Sequence, residues 1–179
     1  SSSGASAHYS ASFGPITGSD PMLEVIVAPG TADLGNFDTT HTLTTTTIVK
    51  VRNYLSSGYV LQITGDPPKI SKHTLNAPTT PTASTPGTEQ FGINLAANAT
   101  PSVGAAPVQV PSGSFSFGVV DSGYSTADRF QYLSGDTVAH SPSQSGETDY
   151  TISMILNISN LTPAGHYSGD FSAVVIPVY

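Results

Sequence analysis

Apolar residues recur at every second position through most of this chain, and no stretch sustains the three-to-four spacing of a helix face. Residues 5–15 begin the pattern. Ala5, Ala7, Tyr9, Ala11, Phe13 and Pro15 alternate with Ser6, His8, Ser10, Ser12 and Gly14. A period of two marks a strand with one buried face. Gly18, Ser19, Asp20 and Pro21 break it from the next apolar run. Residues 1–20 are therefore expected to form an extension, and residues 21–179 one domain.

The same period continues downstream. Residues 22–28 form an apolar run ended by Pro29 and Gly30. Leu43, Thr45, Thr47, Val49 and Val51 share one face, with Thr44, Thr46, Lys50 and Arg52 opposite. After Gly58, Tyr59, Leu61 and Ile63 alternate with Gln62 and Thr64, and the two runs are expected to pair as a hairpin. Residues 66–87 are rich in Pro and Thr and predict a long surface excursion, because proline removes ladder donors and restrains its neighbours. Shorter strands are expected near residues 90–98, 115–120 and 128–141. Tyr150, Ile152, Met154, Leu156 and Ile158 give the clearest alternation. The last run is apolar on both faces, with Phe171, Ala173 and Val175 on one and Val174, Ile176 and Val178 on the other. A sandwich strand needs only one buried face, so the second face should be covered by a loop or by another chain. Strands divided by Gly and Pro turns, without helices, predict an all-β sandwich.

Composition narrows the function. Charged residues are 9% of the chain, against about 25% in ordinary soluble domains. Twelve acids against five Lys and Arg give a net charge of −7, which disfavours a nucleic-acid partner. No apolar run approaches the roughly 18 residues of a membrane-spanning helix. With Ser at position 1 and no basic segment ahead of an apolar run, the sequence is expected to be a mature product. There is no cysteine, which excludes disulfides and thiol nucleophiles. Few Lys and Arg offer few sites to trypsin-like proteases, and a Ser/Thr-rich surface fits a protein outside the cell.

Candidate chemistry is sparse. His8, His41, His73, His140 and His166 show no metal-ligand spacing. Asp33, Asn36 and Asp38 fall in a Gly-containing stretch expected to be an Asx-rich turn. No nucleophile motif or phosphate loop occurs, so neither an enzyme nor a cofactor or metal is expected. Three N-x-S/T sequons begin at Asn98, Asn157 and Asn160. Pro101 makes the first a poor acceptor. Asn157, on the polar face of its strand, and Asn160, in the following turn, are expected to be accessible candidates for an N-linked glycan.

Two motifs carry a resemblance. Pro163, Ala164, Gly165 and Tyr167 lead into the final strand, and Asn53, Gly58, Tyr59 and Leu61 form an N-x-x-x-x-G-Y-x-L pattern. Together they resemble secreted bacterial surface proteins, among them the spore-coat-U-like subunits of archaic chaperone–usher pili. The resemblance implies an immunoglobulin-like antiparallel sandwich with an N-terminal extension strand, located on the cell surface. It also implies polymerisation, each subunit's N-terminal strand completing its neighbour's sheet. The donor would be Ala7, Tyr9, Ala11, Phe13 and Pro15. The acceptor strand would hold Phe171, Ala173, Val174, Val175, Ile176 and Val178. The expected function is thus the structural subunit of an extracellular filament, a homopolymer. The alternative is a monomeric surface binding or adhesion module, and for the N-terminal strand itself the alternative is folding back onto its own sheet.

Overall fold

Fifteen strands and one short 3-10 turn make up the computed structural model, which describes residues 7–16, 23–27, 30–54, 56–110 and 115–179, with backbone pairing alone for residues 7–37. The strands are β1 (Ala7–Ile16), β2 (Leu23–Val27), β3 (Gly30–Phe37), β4 (Leu43–Asn53), β5 (Gly58–Thr64), β6 (Lys69–Ile70), β7 (His73–Thr74) and β8 (Gln90–Asn94). They continue with β9 (Asn98–Ala99), β10 (Ser102–Val103), β11 (Val108–Val110), β12 (Val119–Val120), β13 (Asp136–Ser141), β14 (Ser145–Asn157) and β15 (Gly165–Val178). One sheet runs β12-β13-β5-β15-β1-β3, with β6 and β7 attached beside β15. A second runs β2-β4-β14, with β8 and β11 sharing the far side of β14, and β9 and β10 form a separate two-stranded ladder. Pairing is antiparallel throughout, except that β1 lies parallel to β15. The all-β expectation holds, with antiparallel sheets packed on one another.

One core joins the sheets. Val49, Val51, Tyr150, Ile152, Met154 and Leu156 come from one side, and Tyr59, Leu61, Ile63, Tyr167, Phe171 and Val175 from the other. The hairpin expected between residues 43–53 and 58–64 is not formed. β4 and β5 lie in different sheets, β4 on β2 and β14, β5 on β13 and β15. The connection arches across the end of the core instead. Asn53 sets that arch: its amide donates to the Gly58 carbonyl (2.8 Å) and accepts from the Ser56 N–H (3.2 Å). At Gly58 a Cβ would meet the Ser141 carbonyl at 2.3 Å. The motif residues thus turn the chain between layers, so that the apolar faces of both strands enter a single core.

Coverage of the outer faces also departs from expectation. The Pro/Thr-rich stretch pairs with the start of β15 through β6, and its Ser84 covers the end of β14. Ser153, Ile155 and Asn157, on the face expected to be solvated, are fully buried. The Asn157 side-chain amide donates to Ser84 Oγ (3.1 Å) and Gln90 Oε1 (2.9 Å), and its carbonyl accepts from Thr42 (2.6 Å). Nearby, Asn94 and Asn98 exchange amide hydrogen bonds of 2.6 and 2.9 Å. The accessibility expected of Asn157 is corrected: its nitrogen is buried and spoken for. Asn160 is exposed, as expected. Meanwhile, among the described residues, no loop covers the second apolar face of β15, where Ile176 and Val178 remain 42% and 45% exposed. Asp33 and Asn36 belong to strand β3 rather than to a loop, and Asp38 alone caps a turn, accepting from the Thr40 N–H at 2.9 Å.

Candidate functional site

The seam between β1 and β15 is where the chain's two ends meet. β1 is not detached in the single chain. It pairs with β15 from Ala7↔Gly165 to Ile16↔Val174, and on its other side with β3. The register aligns two alternations. Tyr9, Ala11, Phe13 and Pro15 stand opposite Tyr167, Gly169, Phe171 and Ala173, the buried row of β15. His8, Ser10, Ser12 and Gly14 stand opposite His166, Ser168, Asp170 and Ser172, which are exposed or half-exposed. A one-residue slip would set every apolar position of β1 against the solvent-facing row.

Beneath β15 lies an aromatic floor. Phe171 stacks on Phe91 with ring centroids 5.4 Å apart and meets Tyr132 edge-on at 5.5 Å. The Tyr132 hydroxyl donates to the Gly65 carbonyl, and burial pushes its pKa up to about 12. At Gly169 a Cβ would fall 2.8 Å from the Phe171 ring, so only glycine lets that ring fold back over the strand. At the strand's start the Tyr167 hydroxyl donates to the Pro163 carbonyl, four residues upstream, at 2.8 Å. This bond pins the turn into β15. Of the expected acceptor residues, Phe171, Ala173 and Val175 face the core, Val174 is half-buried, and Ile176 and Val178 are exposed.

Glu89 ties the same end of the strand to the Pro/Thr-rich cover. It accepts from the Asn76 N–H (2.8 Å) and Thr162 Oγ1 (2.9 Å), and pairs with His73 Nε2 at 2.8 Å. Burial alone would raise its pKa, but the bonds from Asn76, His73 and Thr162 outweigh burial and hold the carboxyl below its ordinary 4.5. A carboxylate depressed by folding contributes stability that is complete above the unfolded pKa and lost as pH falls through the folded one. The melting temperature should therefore drop on acidification below about pH 4.5, and Glu89→Gln should flatten that part of the curve. An unchanged acid limb in the variant would exclude this role.

A concavity opens on the opposite flank, between edge strands β11 and β12. It has a volume of about 560 Å³ and is lined mainly by small apolar side chains, among them Leu95, Ala96, Ala106, Pro107, Val119 and Ala127. Gln109 bridges its floor, donating to the Gly118 carbonyl (2.8 Å) and accepting from Thr148 (2.6 Å).

The remaining polar clusters hold no relay. His41 meets Thr40 and Asp38 through the same nitrogen, Nδ1. His140 Nδ1 pairs with Asp121 at 2.5 Å. Among the described residues, no group of three or more His, Asp or Glu side chains stands close enough to hold a metal ion. The seam could not be located from sequence because a parallel pair has no connecting turn to announce it. Its one available signal was the matched alternation of residues 7–15 and 165–173. No protein-family model matches the chain, and no curated protein matches it either.

Proposed function

We propose that the protein is the structural subunit of an extracellular filament, and that β1 of one copy docks on β15 of the next. The observation that carries this reading is the β1–β15 register, in which the buried row of β15 meets the apolar row of a strand from the far end of the sequence. The strand order supports an immunoglobulin-like arrangement. Such sandwiches run A-B-E-D in one sheet and C-F-G in the other. β2, β4 and β14 fill A, B and E, the β8/β11 pair fills D, and β5 and β15 fill C and F. The Tyr167–Pro163 bond matches the tyrosine corner found at the start of strand F. In this correspondence the place of G is filled by β1, a strand that enters from the other end of the sequence. A place filled by so distant a segment can be filled equally by the same segment of a neighbour. Head-to-tail exchange of that kind propagates instead of closing, and it hides a free sheet edge.

The second reading, a monomeric binding module, is favoured by the apolar cleft between β11 and β12, whose size lies within the usual range for ligand sites.

The absence of cysteine makes the decisive experiment clean. Ser10 and Ser168 are partners in the β1–β15 register, and neighbouring strands lie about 4.8 Å apart, within disulfide reach. Chains carrying Ser10→Cys and chains carrying Ser168→Cys are mixed, assembled and oxidised. Donation predicts a covalent dimer of the two kinds, and a denaturation-resistant ladder from the double variant. A double variant that closes only within single chains, with no dimer from the mixture, overturns the reading.

A further inference from the structure

Gln109 and Thr148 face each other in the β11–β14 register, and their side chains meet. The Thr148 hydroxyl, fully buried, donates to Gln109 Oε1 at 2.6 Å. The amide carbon lies one C=O bond, about 1.23 Å, beyond that oxygen, so it is at most about 3.8 Å from Thr148 Oγ1. A nucleophile poised for attack stands roughly 3–3.5 Å from its carbon. Both groups are held in place. Gln109 Nε2 donates to the Gly118 carbonyl at 2.8 Å, and the Gly118 N–H donates to Thr148 Oγ1 at 3.1 Å. The Tyr59 and Tyr150 hydroxyls crowd the same oxygen, all three within 2.6 Å of where a Gly118 Cβ would stand. Gln109 also lines the open cleft between β11 and β12. A second hydroxyl–amide pair makes the contrast. Thr42 donates to Asn157 Oδ1, also at 2.6 Å, but Asn157 is 0% exposed and its nitrogen donates to Ser84 and Gln90.

We propose that Thr148 and Gln109 join as an intramolecular ester, a covalent cross-link between β11 and β14. A threonine hydroxyl is a competent nucleophile when its surroundings position it and take its proton. Thr148 Oγ1 bonds to the Gln109 amide carbon while its proton passes to Oε1, the atom to which it already donates. From the tetrahedral intermediate that proton moves to the nitrogen, the C–N bond breaks, and ammonia leaves by the cleft. No atom changes its oxidation state, so the step needs no oxidant or reductant. Burial of Oγ1 then shields the ester from water. In a chain without cysteine, such a bond does what a disulfide does elsewhere, closing a loop of the unfolded chain. It also fastens β11, an edge strand, to the centre of its sheet. The cross-link lies within one chain and away from β1, so its test stands apart from the filament reading.

The test is the intact mass of the full folded chain, followed by peptide mapping. The chain should be lighter than its sequence by one ammonia, and residues 109 and 148 should emerge in one branched peptide. Mild alkali should open that peptide with the gain of one water. Gln109→Glu takes away the leaving group and Thr148→Val the nucleophile, and each variant should keep the full mass of its own sequence. Gln109→Glu is the more secure of the two, because Thr148 is buried and its replacement risks the fold. An unaltered folded chain at its full sequence mass overturns the cross-link. So does a loss of ammonia that survives Gln109→Glu, or one that maps to Thr42 and Asn157.

Discussion

If β1 is donated as proposed, chains carrying Phe13→Asp are expected to remain monomeric at concentrations where unaltered chains assemble. Position 13 stands opposite Phe171, whose ring is 2% exposed and packed on Phe91 and Tyr132. A strand docked in this register would set the new carboxylate opposite Phe171, in the buried row of β15. Burying an uncompensated charge costs several kcal/mol, and each 1.4 kcal/mol is a factor of ten in affinity. The concentration needed for assembly should therefore rise on the order of a thousandfold. Phe13→Leu keeps the apolar row and should still assemble. Sedimentation of the two variants beside the unaltered protein gives the answer. Filaments from Phe13→Asp at the original concentration would remove β1 from the role of donor.

Gly118→Ala should be strongly destabilising. A Cβ at this position would lie 2.1 Å from the Tyr150 hydroxyl, 2.5 Å from Thr148 Oγ1 and 2.6 Å from the Tyr59 hydroxyl. None of the three atoms is free to retreat. Tyr59 and Tyr150 share a hydrogen bond of 2.7 Å, and Thr148 accepts from the Gly118 N–H at 3.1 Å while donating to Gln109. Burial raises the pKa of both phenols, so both stay neutral and hold that bond through the ordinary pH range. Overpacking a well-filled core costs about 1–3 kcal/mol, and displacing three hydrogen-bonded groups at once sets this case near the top of that range. A melting temperature lower by about 6–12 °C is expected. A drop of less than about 2 °C would mean that the hydroxyl pair can shift at little cost.

The alternation of side chains made the principal strands legible before any coordinates. Tyr150 to Ile158 and Phe171 to Val178 fall inside β14, its immediate continuation and β15, and residues 7–16 form β1 as the period of two required. What alternation cannot supply is the identity of a strand's neighbour. Val49, Val51, Tyr59 and Leu61 carry the same local signal whether β4 and β5 pair edge to edge or face each other across a core. The difference lies in Asn53, whose side chain ties the arch through Ser56 and Gly58. Burial of Asn157 was equally hidden, because of the groups that accept from it Ser84 belongs to a stretch whose Pro and Thr content signalled only surface, and Gln90 to a strand whose neighbour alternation cannot name. The seam is the middle case. Both halves of its pattern were present in the sequence, yet nothing local joined residue 13 to residue 171.

Away from Glu89, one patch over β14 is fastened by neutral amides: Gln90 with Asn157, and Asn94 with Asn98. Raising the ionic strength to 1 M shrinks the Debye length to about 3 Å and erases exposed ion pairs such as Lys69 with Asp66. Buried amide-to-amide bonds neither screen nor titrate. Brine and fresh water should therefore meet the same outer relief on this flank of the molecule, its contours fixed by dipoles that have no counterions to lose.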